Sequence, residues 1–308
     1  MKKFDPRHSS IFPFSLISLV LIVWPHDALA WGPLAHLHFS TGALEDLSLF
    51  SPALRVLLSR HTPDFLYGSL AADIVVGKNL SKYSVHCHNW NVGFSVFDQA
   101  RTDAQRAFCL GFLAHLSVDT VAHNYYVPYK TVQSFGVRAT GHAYWEMRYD
   151  QRLPKDLWRM ARHVSQACFR EHDDHLKLCL SDSHVLPFAI SKQMFGGLLL
   201  AARLKKWQKL SEVVAGEKEL PLHEEEIQEC RKLAVGHIVQ MLRDGRDARC
   251  TDIDPTGGRN LHFADQFKEK LKGIPTLSVK RISRLTHQAR ASFRMGIYGK
   301  LDLPSFSI

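Results

Sequence analysis

The residues with the clearest chemical pattern are two histidines and an aspartate that recur every four positions. His115, Asp119 and His123 lie in an otherwise largely apolar stretch. On an α-helix a step of four residues turns about 400° and rises about 6 Å, so the three side chains share one face but cannot all reach one small cation. Such a helix could supply a carboxylate and an imidazole to one metal ion and the second imidazole to a neighbouring ion. The alternative is a core helix whose polar side chains are satisfied by other partners.

Further histidines and carboxylates occur on both sides of this stretch. His142 and Glu146 form another pair spaced four residues apart, and imidazole and carboxylate groups are ligands that suit zinc. Sets that include a bridging carboxylate suit clusters of two or more ions. Of the neighbouring His86 and His88 we expect one to be a ligand, with a slight preference for His86. The candidate ligands are Trp31, His36, Asp73, His86, His88, His115, Asp119, His123, His142 and Glu146.

Residues 1–30 have the pattern of a secretory signal peptide. A basic start precedes an interrupted apolar run from Ile11 to Trp24 and an A-x-A site that ends at Ala30. The run is short for a membrane span, so an uncleaved anchor is the less favoured alternative. Cleavage after Ala30 makes Trp31 the mature N-terminus, whose amine and carbonyl could chelate a metal ion. We therefore expect a secreted or periplasmic protein.

Helical periodicity dominates the rest of the chain, and strand patterns are scarce. Residues 63–68 are predicted to form a turn, and Pro128 to end the central helix. No linker rich in proline, glycine or serine divides residues 31–308, which predicts one all-α domain with its motifs in 31–150 and additional helices in 155–308. The predicted helices cover 41–60 with a break or restart at Ser51-Pro52, 94–100, 103–125, 141–152, 154–180, 187–210, 223–244, 263–271 and 277–297.

Composition and charge fit an ordinary globular protein with a basic surface. The chain has 308 residues and a formal net charge of +9, and all six cysteines follow the predicted cleavage site. Disulfides are possible in an oxidising compartment, and proximity in the sequence suggests Cys168 with Cys179 and Cys230 with Cys250. Basic residues are concentrated at 268–294. They form either a solvated face or a surface that attracts an anionic membrane or nucleic acid.

As an ordered set, the candidate ligands resemble the zinc-dependent phospholipase C family, which is related to the S1/P1 nucleases. The resemblance covers roughly residues 31–150, and the short spacings are most similar to the branch that contains glycosylphosphatidylinositol-specific phospholipase D. It implies a multi-helix bundle with three zinc ions in a cleft. The implied ligands are Asp73, His86, His115 and a bridging Asp119 for the first ion, His123, His142 and Glu146 for the second, and Trp31, His36 and Asp119 for the third.

The resemblance implies a zinc-dependent phosphodiester hydrolase, most simply a phospholipase C that acts on phospholipids through metal-activated water. Asp73 is then the candidate general base or water-orienting group. One alternative is an S1/P1-like nuclease or nucleotidase, because aromatic residues near the predicted ligands could stack a nucleobase as well as pack a lipid headgroup. The other is a non-catalytic exported protein with structural zinc.

Extension of the mature N-terminus by one residue should remove one metal ion, because the added residue displaces the Trp31 amine and carbonyl. Elemental analysis of the exported protein, with N-terminal sequencing to establish the cleavage site, measures this. An unchanged ion count in the extended protein would count against Trp31 as a ligand.

Overall fold

The computed structural model describes residues 31–74, 86–134, 142–166, 169–180, 188–202, 222–274 and 278–297. Helices follow one another through these ranges, none of which contains a strand, so the all-α prediction is confirmed. The α-helices are α1 (Pro33–Ala43), α2 (Pro52–Arg60), α3 (Thr62–Ala71), α4 (Trp90–Asp98), α5 (Asp103–Val121), α6 (Val127–Gln133), α7 (His142–Asp150), α8 (Asp156–Gln166), α9 (Arg170–Cys179), α10 (Phe188–Ala202), α11 (Glu224–Asp244), α12 (Gly258–Lys272) and α13 (Val279–Gly296).

Helix α5 is the centre of the fold. It begins with a capping box, in which the Thr102 hydroxyl accepts from the Gln105 N–H and the Gln105 side chain accepts from the Thr102 N–H. From Ala107 to Val121 every residue is buried, because α3, α4 and α11 pack around the helix. A helix buried on all sides has no solvent face on which to place a charged group. The polar side chains of α5 therefore need partners from the neighbouring elements.

Helices α3 and α5 cross at two glycines that permit a very close approach. A Cβ on Gly68 would overlap the main-chain carbonyl oxygen of Phe108, and a Cβ on Gly111 would overlap that of Phe65. The prediction of a turn at 63–68 is wrong, because these residues belong to α3. Pro63 occupies the first turn of α3, where its missing N–H costs nothing, and Gly68 serves helix packing rather than chain reversal.

The prediction that Pro128 ends the central helix is also wrong. The chain passes from α5 through a π-helical turn at Ala122–Tyr126 directly into α6, where Pro128 lies in the first turn. Two other predicted helices are interrupted. In 41–60 the predicted restart at Ser51-Pro52 is confirmed, since the Ser51 hydroxyl caps α2. The predicted helix at 154–180 is two helices, α8 and α9, and Phe169 is the N-cap of α9.

The cysteines that the structure describes are free thiols: Cys87, Cys109, Cys179, Cys230 and Cys250. The suggested pair of Cys230 and Cys250 is wrong. The Cys250 thiol donates to the carbonyl of His237, which follows Cys230 by seven residues on α11, or about 10 Å along the helix axis. That separation exceeds what a disulfide spans. Cys168 lies outside the described residues.

A buried ion pair connects α11 to α6. The Lys130 ammonium is fully buried and donates to Glu226 of α11 at 2.8 Å, and the Tyr129 hydroxyl donates to the other carboxylate oxygen at 2.9 Å. Helices α12 and α13 also pack on α6.

That residues 31–308 form a single domain stays a prediction. No helix among the described residues has both the length and the apolar character that a bilayer span requires.

The helix crossing predicts a large difference between two glycine substitutions. Gly68→Ala should lower the free energy of unfolding by about 1–3 kcal/mol, because the new methyl group forces α3 and α5 apart. Gly236→Ala, in the exposed middle of α11 where a Cβ meets nothing within 4 Å, should instead raise it by about 0.5–1 kcal/mol. Urea unfolding of both variants measures the difference, and equal stabilities would contradict the crossing geometry.

Candidate metal centre

The carboxylate of Asp119 lies in the middle of α5 with no solvent exposure, and three imidazoles face it. Its Oδ2 atom is 3.2 Å from Nε2 of both His88 and His115, and its Oδ1 atom is 3.4 Å from Nε2 of His36. Burial disfavours the ionised form, but the neighbouring His115, His88 and His36 outweigh burial and hold the pKa of Asp119 below its ordinary value. Asp119 is thus an ionised group in the core whose two oxygens face different partners.

Asp73, His88, His115 and Asp119 surround one point. Nε2 of His88 is 3.0 Å from Nε2 of His115, and Oδ1 of Asp73 is 3.4 Å and 3.8 Å from these two nitrogens. Zinc bonds of about 2.0–2.2 Å place the ligand atoms of a tetrahedral site about 3.3–3.6 Å apart. The three separations within Asp73, His88 and His115, and the two that join these histidines to Asp119, are centred on that spacing. Asp73, His88 and His115 therefore fit three corners of a tetrahedral zinc ion, and Oδ2 of Asp119 faces both histidines.

Helix α3 determines the tautomer of the neutral His115 ring. Nδ1 of His115 donates to the main-chain carbonyl of Ser69 at 2.9 Å, and a carbonyl can only accept. The proton of the neutral ring is therefore on Nδ1, and the lone pair on Nε2 points at the cluster. Partners of this kind orient histidines that bind metals.

The structure distinguishes His86 from His88. Nε2 of His88 faces Asp73, His115 and Asp119, whereas Nδ1 of His86 accepts the main-chain N–H of His88 at 3.1 Å. A neutral His86 ring that accepts at Nδ1 has its proton on Nε2. The geometry therefore favours His88 as the ligand, contrary to the preference drawn from the sequence.

Helix α1 brings His36 to the other side of Asp119. The His36 ring stacks parallel to that of His115, with centroids 3.8 Å apart, and its Nε2 faces Asp119 Oδ1. Trp31, just before this helix, is fully buried and stacks on Tyr126 at 4.6 Å. The predicted mature N-terminus is thus held against the π-helical turn.

Asp150 is a contributor that the sequence analysis missed. Its carboxylate accepts the main-chain N–H groups of Leu34 and Ala35 at 3.3 and 3.0 Å and so caps α1, whose N-cap, Gly32, has no side chain. Burial raises the pKa of Asp150 to about 7, although the two backbone hydrogen bonds oppose the shift. Its spacing could have indicated a role at the site, since Asp150 follows Glu146 by one turn on the same face of α7.

The remaining candidates lie on the π-helical turn and α7. His123 is part of the turn, and its Nδ1 donates to the carbonyl of Pro255. Glu146 is buried on α7, which is joined to the turn by a hydrogen bond of 3.1 Å from the Tyr126 hydroxyl to the Trp145 carbonyl. His142 is the first residue of α7, and its side chain lies outside the described part of the chain.

Small differences in exposure indicate which edge of the centre faces solvent. Asp73, His86 and His123 retain 5%, 9% and 6% of their accessible surface, whereas His36, His115 and Asp119 retain none. Asp73, His86 and His123 are therefore the candidate ligands among these six that lie nearest the solvent. A separate groove of about 690 Å³ between α2, α4 and the end of α11 contains none of the candidate ligands.

The geometry predicts different consequences for the two neighbouring histidines. His88→Ala should lower zinc content by one equivalent per chain, because it removes one corner of the tetrahedral set. His86→Ala is the matched control and should keep the full content. Elemental analysis of both purified proteins after zinc loading tests this, and loss of zinc from the His86 variant alone would reverse the assignment.

Comparison with known families agrees with this geometry. A family model described as zinc-dependent phospholipase C matches residues 35–190, about half of the chain, and this range includes every candidate ligand except Trp31. No curated protein and no solved structure gave a significant match. The His and Asp clusters could bind metal, as the family requires. The chain belongs to the zinc-dependent phospholipase C family and is a zinc-dependent hydrolase.

Proposed function

We propose that the protein is an exported phospholipase C that cleaves phospholipids with a cluster of three zinc ions. The main support is the buried carboxylate of Asp119, because its Oδ2 atom faces His88 and His115 at 3.2 Å and its Oδ1 atom faces His36 at 3.4 Å. A carboxylate in that position suits a bridge between two ions.

Each ion is assigned a set of ligands from this chain. Asp73, His88, His115 and Oδ2 of Asp119 would hold the first. Oδ1 of Asp119, His36 and the main-chain amine and carbonyl of Trp31 would hold the third. His123, His142 and Glu146 would hold the second. Asp150, which caps α1, would hold Trp31 and His36 in position next to Asp119.

The proposed reaction is hydrolysis of the phosphodiester bond on the glycerol side of the phosphate. Zinc supplies positive charge that stabilises the phosphate oxygens and makes water more acidic. Asp73 lies at the solvent-facing edge with Oδ1 towards the imidazoles, and we assign its Oδ2 atom to receive the proton of the attacking water. The water oxygen bonds to phosphorus, the bond to the glycerol oxygen breaks, and that oxygen takes up a proton. The products are diacylglycerol and a phosphorylated headgroup.

Export and membrane contact complete the proposal. Cleavage after Ala30 creates the Trp31 amine that the third ion uses, so export would be needed for a complete site. The basic surface is smaller than the sequence indicated, because Arg290 and Arg294 both pair with Glu229. Lys280, Arg281 and Arg284 are further exposed cations of α13. These three would attract the protein to an anionic membrane surface.

Parallel assays on phosphatidylcholine vesicles and single-stranded DNA test the substrate. The mature protein should release phosphorylcholine and leave the DNA intact. Asp73→Asn should reduce the lipid rate by about 10²–10⁴-fold, because it removes the proton acceptor. Asp98→Asn makes the same chemical change at an exposed residue that pairs with Arg246, and its rate should equal that of the wild type.

Cleavage of DNA without cleavage of lipid would replace this proposal with the nuclease alternative. An Asp73→Asn variant that keeps the wild-type rate would remove Asp73 from the reaction.

A further inference from the structure

Three successive main-chain carbonyls of residues 253–255 accept side-chain N–H groups, one of them from the candidate ligand His123. The Ile253 carbonyl accepts from Trp90 Nε1 at 2.8 Å, the Asp254 carbonyl accepts from Asn124 Nδ2 at 2.8 Å, and the Pro255 carbonyl accepts from His123 Nδ1. We infer that the segment 253–260, named here the C-terminal turn, is a positioning element that orients His123 towards the second ion. The inference rests on the proposed function only in taking His123 as a ligand.

Hydrogen bonds within the C-terminal turn make it rigid. Asp254, Pro255 and Gly257 occupy the first, second and fourth positions of a β-turn closed by a hydrogen bond of 3.1 Å from the Gly257 N–H to the Asp254 carbonyl. The Asp254 carboxylate accepts the N–H of Thr256 at 3.0 Å and its hydroxyl at 2.7 Å. The row of carbonyls is therefore preformed, and its direction does not depend on a bound ligand.

The hydrogen bond to Pro255 determines which nitrogen of His123 can bind a metal. Because a carbonyl only accepts, Nδ1 of His123 must carry the proton of the neutral ring, and the lone pair is left on Nε2. The same logic applies to His115 and the Ser69 carbonyl of α3. One histidine of the central stretch is thus oriented from the N-terminal half of the chain and the other from the C-terminal half.

His123 needs this external support because it lies in the π-helical turn. Its neighbour Asn124 donates to the Thr120 carbonyl at 3.0 Å as well as to Asp254, and Asn260 of α12 donates to the Asn124 side chain at 2.9 Å. Asn260 is fully buried. These contacts hold the widened turn from the side of α12, so the ring of His123 has one orientation.

Gly257 shows how closely the C-terminal turn approaches His123. It has a φ of 59°, and a Cβ at this position would overlap the Cβ and carbonyl oxygen of His123. Gly245 also has a φ of 59°, and its ψ of −126° is less accessible to an L residue than the ψ of 20° at Gly257, but a Cβ there meets nothing within 4 Å. Gly245→Ala therefore introduces at least as much backbone strain as Gly257→Ala without any contact with His123. The turn lies beyond residue 190, where the match to the family ends.

The test compares Gly257→Ala with Gly245→Ala in the full mature chain. In the zinc-free wild type, ¹⁵N–¹H spectra should show His123 with its proton on Nδ1. Gly257→Ala should give a mixture of both ring tautomers and should weaken binding of one zinc equivalent by about 10–100-fold in titrations against a chelator. Gly245→Ala should match the wild type in both measurements.

Asn260→Ala provides a second route if Gly257→Ala does not fold. It removes the donor to Asn124 without adding atoms and should also weaken one zinc equivalent selectively. Wild-type affinity for all equivalents in both variants, or an Nε2-protonated His123 in the wild type, would overturn the inference. The variant His123→Ala distinguishes failure of this inference from failure of the proposed function. If that variant keeps every zinc equivalent, His123 is not a ligand and the proposed second site is wrong.

Discussion

A buried negative charge at Asp119 is the constraint on which the rest of the structure depends. An ionised carboxylate in the core is costly unless positive charge or donors surround it. The imidazoles that surround Asp119 come from α1, from the segment before α4 and from α5 itself. Satisfying this one group therefore determines how three separate parts of the chain pack. Metal ions between the Asp119 carboxylate and the imidazoles would supply the positive charge that the carboxylate needs and would bind the lone pairs of the imidazole nitrogens.

Two close backbone contacts hold the elements that carry the ligands. At one, Gly68 and Gly111 let α3 approach α5, which places the Ser69 carbonyl on His115 and brings Asp73 to the same centre. At the other, Gly257 lets the C-terminal turn approach His123. The histidines and carboxylates are in the N-terminal half, but the orientation of one of them depends on the C-terminal half. This dependence gives the residues beyond the family match a defined role.

The sequence could predict what depends on local spacing. The step of four residues from His115 to Asp119 predicts that they share one face of a buried helix, as they do, whereas His123 lies in the π-helical turn that follows. The ordered set of ligands indicates a zinc site. The preference for His88 over His86 could not be predicted, because it rests on a hydrogen bond between the two residues. Read locally, Gly68 indicates a turn and Pro128 a helix end, but Gly68 serves a helix crossing and Pro128 lies in the first turn of α6. Asp150 and Pro255 act on residues more than a hundred positions away, where no local pattern can reveal a partner.

The central claim is that Asp119 bridges two metal positions, one on each oxygen. Anomalous diffraction at the zinc edge from crystals of the mature protein tests it most directly. We expect one peak among Asp73, His88, His115 and Asp119 Oδ2, and a second between Asp119 Oδ1 and His36, each about 2.0–2.2 Å from its ligand atoms. Peaks that leave Asp119 without a metal contact, or a peak on His86 and Cys87 instead, would contradict it.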